Sequence, residues 1–138
     1  MQTFLPYSDF NKTAKCLDYR RLGKQRVETW QIYQALTKEN YGWKQHPTVK
    51  MWRGYEYALL WYGFVITMEW KRRGYKDKML DRFINELKQV KKYMYMPKWL
   101  GNKKLHASHR SNLLRKDKKY YSKFGWQEQD NLPYYWVV

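Results

Sequence analysis

The sequence predicts an all-α protein that forms one domain, residues 1–138, around a central apolar helix. Three observations favour this class. Apolar residues recur at helical spacing in several segments that start at capping residues and stop at Gly or Pro. Residues 57–68 are apolar on nearly every side, as expected for a helix buried at the centre of its domain. The length of 138 residues is typical of a single domain. We therefore expect a compact bundle of helices joined by short loops.

The first predicted helix extends to about Lys38. Asn11 or Thr13 caps its start, and the stretch 40–42, Asn-Tyr-Gly, ends it. Gly23 lies inside this helix, where glycine costs about 1 kcal/mol relative to alanine. We expect a kink or a close helix contact at Gly23.

The second predicted helix begins at Pro47, a residue favoured in the first turn, and continues to Gly74. The cations of 71–73 suit its last turn because they face the negative end of the helix dipole, and a glycine commonly comes after such an end. This is the apolar central helix.

Two further helices and an irregular tail complete the prediction. Asp77 caps a third helix over 78–93, and Pro97 prevents that helix from continuing further. A fourth helix is expected over about 104–116. The closing segment 132–138, LPYYWVV, is expected to be extended or irregular.

The charge and aromatic content indicate the class of partner. The chain has 28 Lys and Arg against 12 Asp and Glu, a formal charge of +16, and 20% of its residues are aromatic. So much like charge repels itself in a compact protein, and a polyanion relieves that repulsion. Aromatic rings add faces on which bases can stack. Nucleic acid is the first interpretation, and the alternative is that the rings are core and the lysines confer solubility.

Other classes are disfavoured by the same sequence. The single cysteine, Cys16, cannot form an intramolecular disulfide and fits a reducing compartment. His106 and His109 alone are a weak metal signal. The N-terminus lacks the pattern of a signal peptide, and residues 57–68 are shorter than the roughly 20 residues that span a bilayer. We expect a cytoplasmic monomer with no membrane or protein partner.

Residues 17–26 form the first candidate functional cluster. Arg20 and Lys24 share one helix face, whereas Arg26 falls on the apolar arc that contains Tyr33. An unpaired buried charge is very costly, so Arg26 needs an anion. A structural carboxylate and a bound phosphate both satisfy that need, and the sequence leaves the two open.

Arg53 and Glu56 form the second cluster, three residues apart in the predicted central helix. They can neutralise each other as an ordinary pair at this spacing. However, Glu56 is the carboxylate with the most apolar predicted surroundings, and enzymes keep general acids and bases in such places. Glu56 is therefore a candidate catalytic residue.

The third cluster lies in residues 105–116, where His106, His109 and Arg110 are close together on the fourth helix, beside two serines. This set suits phosphate contacts or proton transfer near pH 7. The alternative is a polar helix face with incidental histidines.

Taken in order, these segments resemble the pyrimidine-dimer DNA glycosylase family, also called endonuclease V-like. The resemblance is spread over most of the chain, and the order and spacing of the segments carry it more than any single motif. The matching segments are DYRRL (18–22), PT (47–48), MEWKRRGYKDK (68–78), HASHRSNLLRKDKKYY (106–121) and the aromatic tail PYYW (133–136).

The resemblance implies a small all-α protein that binds damaged duplex DNA and bends it. Such enzymes cut the glycosidic bond of a dimer's 5′ pyrimidine and then nick the backbone by β-elimination. Their nucleophile is the N-terminal α-amine, a group whose ordinary pKa of about 7.7–8.0 makes it a usable nucleophile near neutrality. A glutamate on the first helix assists, arginines hold phosphates, and no metal or organic cofactor is required.

Two positions depart from the family pattern. Arg21 occupies the place of the first-helix glutamate, and the nearest carboxylates on that helix are Asp18 and Glu28. The second residue is Gln2, which is too large for normal methionine removal, so the free amine is expected on Met1.

These considerations predict a glycosylase, with a possible lyase step, that acts on a damaged or modified pyrimidine in double-stranded DNA in the cytoplasm. Met1 is the expected nucleophile, and Glu56 or Glu28 the expected carboxylate. A catalytically silent DNA-binding module and an RNA-binding protein are the alternatives. The expected DNA contacts are Arg20, Arg21, Lys24, Arg26, Arg53, His106, His109 and Arg110.

Overall fold

The computed structural model describes residues 1–90 and 95–138, and all regular structure in these ranges is helical. The helices are α1 (Phe10–Cys16), α2 (Tyr19–Thr37), α3 (Pro47–Trp52), α4 (Glu56–Arg72), α5 (Leu80–Gln89), α6 (Lys103–Lys116) and α7 (Lys118–Tyr121). A 3-10 turn, Ser122–Phe124, comes after α7. The prediction of an all-α protein is confirmed.

The first predicted helix is two helices, α1 and α2, separated at Leu17 and Asp18. Both residues have extended backbone, and the Asp18 N–H donates to the Tyr121 hydroxyl at 3.0 Å. The same hydroxyl donates to the Asp18 carboxylate. The expected caps at Asn11 and Thr13 are wrong, because Asp9 caps α1 by accepting from the Lys12 N–H at 2.9 Å.

The second predicted helix is also two helices, α3 and α4, and the single long helix from Pro47 to Gly74 is wrong. Gly54 has φ +90°, a conformation that favours glycine, and it separates the two. The predicted ends are confirmed. Pro47 lies in the first turn of α3, and Gly74, with φ +92°, lies just beyond α4.

The later helices agree with their predicted starts. Asp77 accepts hydrogen bonds from the backbone N–H groups of Met79 (3.0 Å) and Leu80 (2.7 Å), although the regular helix begins at Leu80. Asn102 caps α6 by accepting from the Leu105 N–H at 3.1 Å. The predicted extent of the third helix is too long, because α5 ends at Gln89 and Val90 has extended backbone. Residues 91–93 of that prediction lie outside the described residues.

Helix α4 is the centre of the protein and packs against α1, α2 and α5. Two glycines allow the closest approaches. A Cβ on Gly23 of α2 would lie 2.9 Å from the Trp70 ring, and a Cβ on Gly63 would lie 2.3 Å from Phe83. The close contact expected at Gly23 is therefore confirmed. No helix among the described residues has the length and apolar content needed to cross a membrane.

The chain after Phe124 has no regular element, which confirms the prediction of an irregular tail over 132–138, and α6 holds it in place. Ser108 Oγ accepts from the Tyr135 N–H at 3.1 Å, and Ser111 Oγ accepts from the Leu132 N–H at 3.0 Å. Asn112 donates to the Leu132 carbonyl at 3.1 Å. These bonds bring the aromatic tail back towards the N-terminus.

Candidate active site

The N-terminal segment 2–6 is buried without being helix or strand, so side chains satisfy its backbone. Gln25 of α2 accepts from the Phe4 N–H at 2.9 Å and donates to the Gln2 carbonyl at 2.8 Å. The Tyr62 hydroxyl of α4 donates to the Phe4 carbonyl at 2.7 Å. Because buried backbone groups need partners, these bonds fix where the segment begins.

Helix α6 holds the other part of this segment. His109 Nδ1 accepts from the Leu5 N–H at 2.9 Å, and His106 Nδ1 donates to the Leu5 carbonyl at 2.7 Å. Arg110 donates to the Pro6 carbonyl at 2.8 Å and forms a two-bond ion pair with Glu128, each bond 2.9 Å. All three side chains thus position the N-terminal segment.

The burial of the two histidines corrects the expectation that they lie on an open phosphate-binding face. His109 has no exposed surface, and burial lowers its pKa to about 3. Burial also lowers the pKa of His106, whose Nε2 accepts from the Gly101 N–H at 2.9 Å. Both are neutral rings inside the protein near pH 7.

Glu28 is the carboxylate that the structure places beside the N-terminus. Its Oε2 accepts from the Gln2 N–H at 3.2 Å and from the Gln25 side chain at 3.4 Å. The Met1 carbonyl, on the same peptide as that N–H, accepts from Thr48 Oγ1 of α3 at 3.2 Å. Met1 and Glu28 are both half-buried, so solvent can reach part of each residue.

His46 lies close enough to the N-terminal amine to be affected by its charge. Its Nδ1 accepts from the Thr48 N–H at 3.1 Å and caps α3. Its pKa is lowered, first by burial and then by the positive charge of the N-terminal amine. We call Met1, Gln2, Glu28, His46 and Thr48 the N-terminal site.

Aromatic residues of the tail form one wall of this site. Trp136 contacts the His46 ring edge-on at 6.0 Å between centroids, and Tyr134 lies 5.6 Å from Trp136. The pKa of Tyr134 is raised by burial and, after the opposing charge of Arg115, by Glu28. The wall therefore reaches from His46 towards the Glu28 carboxylate.

The cations of α2 lie along the helix face that carries Glu28. Arg20, Lys24 and Glu28 are spaced four residues apart, which aligns them on one side of the helix. Arg20 and Lys24 are exposed, and the Arg20 side chain donates to the Tyr19 hydroxyl at 3.3 Å. Arg21 is partly exposed and pairs with Asp18 at 3.2 Å. Two exposed cations, Arg20 and Lys24, therefore lie on the same face of α2 as Glu28.

Arg26 points away from that face. It pairs with Asp77, and its guanidinium lies 4.4 Å from the centroid of the Trp70 ring. Only 14% of its side chain is exposed. The sequence allowed either a structural carboxylate or a bound phosphate as the partner of Arg26, and in the structure the partner is the carboxylate of Asp77.

Arg53 and Glu56 do not form the pair considered from their spacing. Arg53 is exposed and donates to the Lys44 carbonyl at 3.2 Å, while Glu56 accepts from the Gly54 N–H at 3.2 Å. Glu56 lines a separate groove with Tyr33. None of the contacts around Glu56 involves a residue of the N-terminal site. The structure thus brings Glu28, and not Glu56, to Met1.

The chemistry of the N-terminal site is that of an amine, a carboxylate and an imidazole next to exposed cations. In the described part of the chain, no group of three His, Cys, Asp or Glu side chains could hold a metal ion. A model of the pyrimidine dimer DNA glycosylase family matches residues 1–83 of the 138. The chain belongs to this family. No curated protein and no solved structure matches it.

Membership of the pyrimidine dimer DNA glycosylase family makes DNA the substrate class. The matched range contains every residue of the N-terminal site and the cations of α2. It stops before α6, which holds the N-terminal segment, and before the aromatic tail.

Three residues in or beside the N-terminal site were missed from sequence. Gln25 lies three residues before Glu28 on α2, so helical spacing offered a signal for it. His46 precedes Pro47 at a helix start, where a capping side chain is expected. Tyr134 gave no signal beyond the aromatic tail, because its position depends on how α6 folds the tail back.

Proposed function

We propose that this protein is a DNA glycosylase with a coupled lyase step, acting on a damaged or modified pyrimidine in duplex DNA. The α-amine of Met1 is the nucleophile, and Glu28 is the carboxylate that assists it. The hydrogen bond from the Gln2 N–H to Glu28 at 3.2 Å carries this proposal, because it holds the carboxylate one residue from the amine. Membership of the glycosylase family supports the substrate class.

The proposed reaction balances without a cofactor. The unprotonated amine attacks C1′, and the bond between C1′ and the base breaks with its electron pair leaving on the pyrimidine, which takes up a proton. The nitrogen, now bonded to C1′, loses one proton, and its lone pair then forms the imine while the C1′–O4′ bond breaks and O4′ takes up a proton, which opens the sugar ring. Glu28 then takes a proton from C2′, and the C3′–O bond breaks to release the 3′ phosphate.

In this chain Arg21 occupies the place of the glutamate that the family has on its first helix. Glu28 can take over the role of that glutamate because of its position on α2. Seven residues separate the two, which is close to two full turns of helix, so both lie on nearly the same side of α2. A carboxylate two turns along can serve the same site if the N-terminus lies further along the helix. The bonds from Gln25 and Glu28 to the N-terminal segment support that arrangement.

A duplex with one abasic site, mixed with the protein and borohydride, tests the proposal. An imine between the amine and the sugar is reduced to a stable secondary amine, so we expect a covalent adduct whose peptide map places the DNA on Met1. A duplex with a tetrahydrofuran in place of the sugar has no aldehyde and is the matched control. An adduct on a lysine would contradict the assignment of Met1, and tight binding without adduct or base release would indicate a silent DNA-binding module.

The Arg20 and Lys24 side chains should contribute to phosphate binding, and a double variant with both changed to alanine tests this. Neutralising about five phosphates predicts a slope near −4.5 for log K against log salt, and loss of two cations predicts about −2.7. Fluorescence anisotropy with labelled duplex DNA measures both slopes. Lys38 and Lys88, also exposed, provide a control double variant. An unchanged slope for the Arg20→Ala, Lys24→Ala double variant would show that these two residues do not contact phosphates. In a separate competition experiment, preference for hairpin RNA over duplex DNA would favour an RNA-binding protein.

A further inference from the structure

We propose that His46 is a further catalytic residue, whose Nε2–H donates a hydrogen bond to the ring oxygen O4′ of the attacked sugar. This inference rests on the proposed function, because O4′ gains negative charge when the Met1 nitrogen forms the imine and the C1′–O4′ bond breaks. A donor already in place at such an oxygen lowers the barrier to the step. His46 keeps its own proton, and the proton that O4′ takes up balances the one that the nitrogen loses.

The contacts of His46 fix both the orientation of its ring and the nitrogen that carries the proton. Trp43 and Trp136 contact the ring edge-on, at 6.2 and 6.0 Å between centroids. Nδ1 accepts a hydrogen bond from the Thr48 N–H at 3.1 Å. A neutral imidazole has one acceptor nitrogen and one N–H, so the proton is on Nε2. The ring stays neutral near pH 7 because burial, and then the charge of the amine, lower its pKa.

Two observations place His46 near the amine that is proposed to attack the sugar. The charge of the amine is close enough to lower the pKa of His46. Thr48 also connects the two groups, because its N–H donates to His46 and its Oγ1 donates to the Met1 carbonyl at 3.2 Å. In the reaction C1′ is bonded to the attacking nitrogen and to O4′, so O4′ lies two bonds from that nitrogen. A donor near the amine is therefore within reach of O4′.

His46 is the donor that the N-terminal site leaves available. It is half-buried, and its Nε2 has no hydrogen-bond partner among the described residues. Thr48 Oγ1 already donates to the Met1 carbonyl, and Glu28 is an acceptor that the proposed reaction uses at C2′. The Gln2 side-chain nitrogen also lacks a partner in the described part of the chain, but it is buried, so a substrate cannot touch it.

Two duplexes test this role by borohydride trapping. The sugar of an ordinary abasic site is mostly a closed ring, so the C1′–O4′ bond must break before the imine can be reduced. An acyclic aldehyde, made at the same position by periodate cleavage of a vicinal diol, has no ring to open. Loss of the donor should slow trapping of the closed-ring duplex roughly 10²- to 10³-fold, the usual cost of removing one such donor. Trapping of the acyclic duplex should be unchanged.

The His46→Asn and His46→Gln variants separate the donor from the helix cap. Asparagine can place its amide oxygen at the position of Nδ1 and keep the bond from the Thr48 N–H, but its amide nitrogen does not reach the position of Nε2. Glutamine can place its amide nitrogen at the position of Nε2 but gives up the cap. We expect His46→Asn to lose the closed-ring rate and His46→Gln to recover part of it. A role limited to capping α3 predicts the opposite order, because asparagine is a favoured cap.

Gln45→Ala is the matched control. Gln45 is the exposed neighbour of His46 in the same loop. Both trapping rates of this variant should equal those of the wild-type protein. Thermal melting of each variant checks that the fold is intact.

The outcomes separate this inference from the proposed function. If wild-type protein traps both duplexes and His46→Asn is unchanged, or is slowed equally on both, the role of His46 is wrong and the proposed function stands. If wild-type protein traps neither duplex, the amine is not the nucleophile, and the proposed function and this inference both fail. Slower trapping of the closed-ring duplex alone, with partial recovery in His46→Gln, supports the inference.

Discussion

Replacing Glu28 by glutamine is expected to slow strand cleavage at an abasic site roughly 10²- to 10⁴-fold, the range that a positioned acid–base group supplies. Glutamine has nearly the same shape, and its amide oxygen can still accept from the Gln2 N–H, which now bonds to Glu28 at 3.2 Å. The N-terminal segment should therefore keep its place. The variant loses the ability to take a proton together with the negative charge of the carboxylate.

Glu56→Gln is the control for this substitution. Glu56 bonds to the Gly54 N–H, and its oxygen should be equally well replaced by an amide. We expect full cleavage activity from it, and unchanged DNA affinity from both variants. Denaturing gels measure the cleavage rate, and anisotropy the affinity. Full activity of Glu28→Gln, or an equal loss in Glu56→Gln, would show that the carboxylate is assigned wrongly.

The second large effect concerns acid stability. We expect the free energy of unfolding to fall by about 2 kcal/mol between pH 6.5 and pH 5 through His109 alone, at about 1.4 kcal/mol per pH unit. The folded protein keeps His109 neutral because burial lowers its pKa from 6.5 to about 3. The unfolded chain takes up a proton below about pH 6.5. Stability is thus present above pH 6.5 and is lost as the pH falls towards 3.

Chemical denaturation at a series of pH values measures this slope. The pKa of His106 is lowered as well, so it acts in the same direction. His109→Gln provides a matched variant, because a glutamine oxygen can accept from the Leu5 N–H without titrating. Its stability should depend less on pH in this window. An equal slope in wild type and His109→Gln would contradict the assignment.

Much of the fold is determined by local patterns, whereas the departures from the predicted helices depend on features that the neighbouring sequence does not show. Asp77 accepts hydrogen bonds at the start of α5, and α6 extends over Lys103–Lys116. Both features depend on neighbouring residues, and the sequence predicts both. Each of the first two predicted helices is two shorter helices in the structure, and the residues that separate them give weak signals in the local sequence. Gly54 has a positive φ that the neighbouring residues do not predict. The break before α2 depends on the hydrogen bond between Asp18 and Tyr121, which are 103 positions apart.

The candidate site depends even more on distant residues. The sequence offered Met1, Glu28 and Glu56 as catalytic candidates but could not choose between the carboxylates. The choice depends on where the N-terminal segment docks, and Gln25 and His109 determine that through bonds to Phe4 and Leu5. Histidine is a polar residue, so the sequence places His109 on a solvent-exposed helix face, whereas the structure buries it completely.

The bonds from α6 to the N-terminal segment also constrain the order in which the protein matures during translation. The partners of Leu5, His106 and His109, are added to the chain 101 and 104 positions after it. At about 5–20 residues per second, the ribosome makes them on the order of 5–20 seconds afterwards. Until then nothing in α6 can hold the start of the chain. In a nascent chain the N-terminal segment can therefore be held only by α2 and α4, through Gln25 and Tyr62, and Leu5 gains its side-chain partners only after α6 has been made.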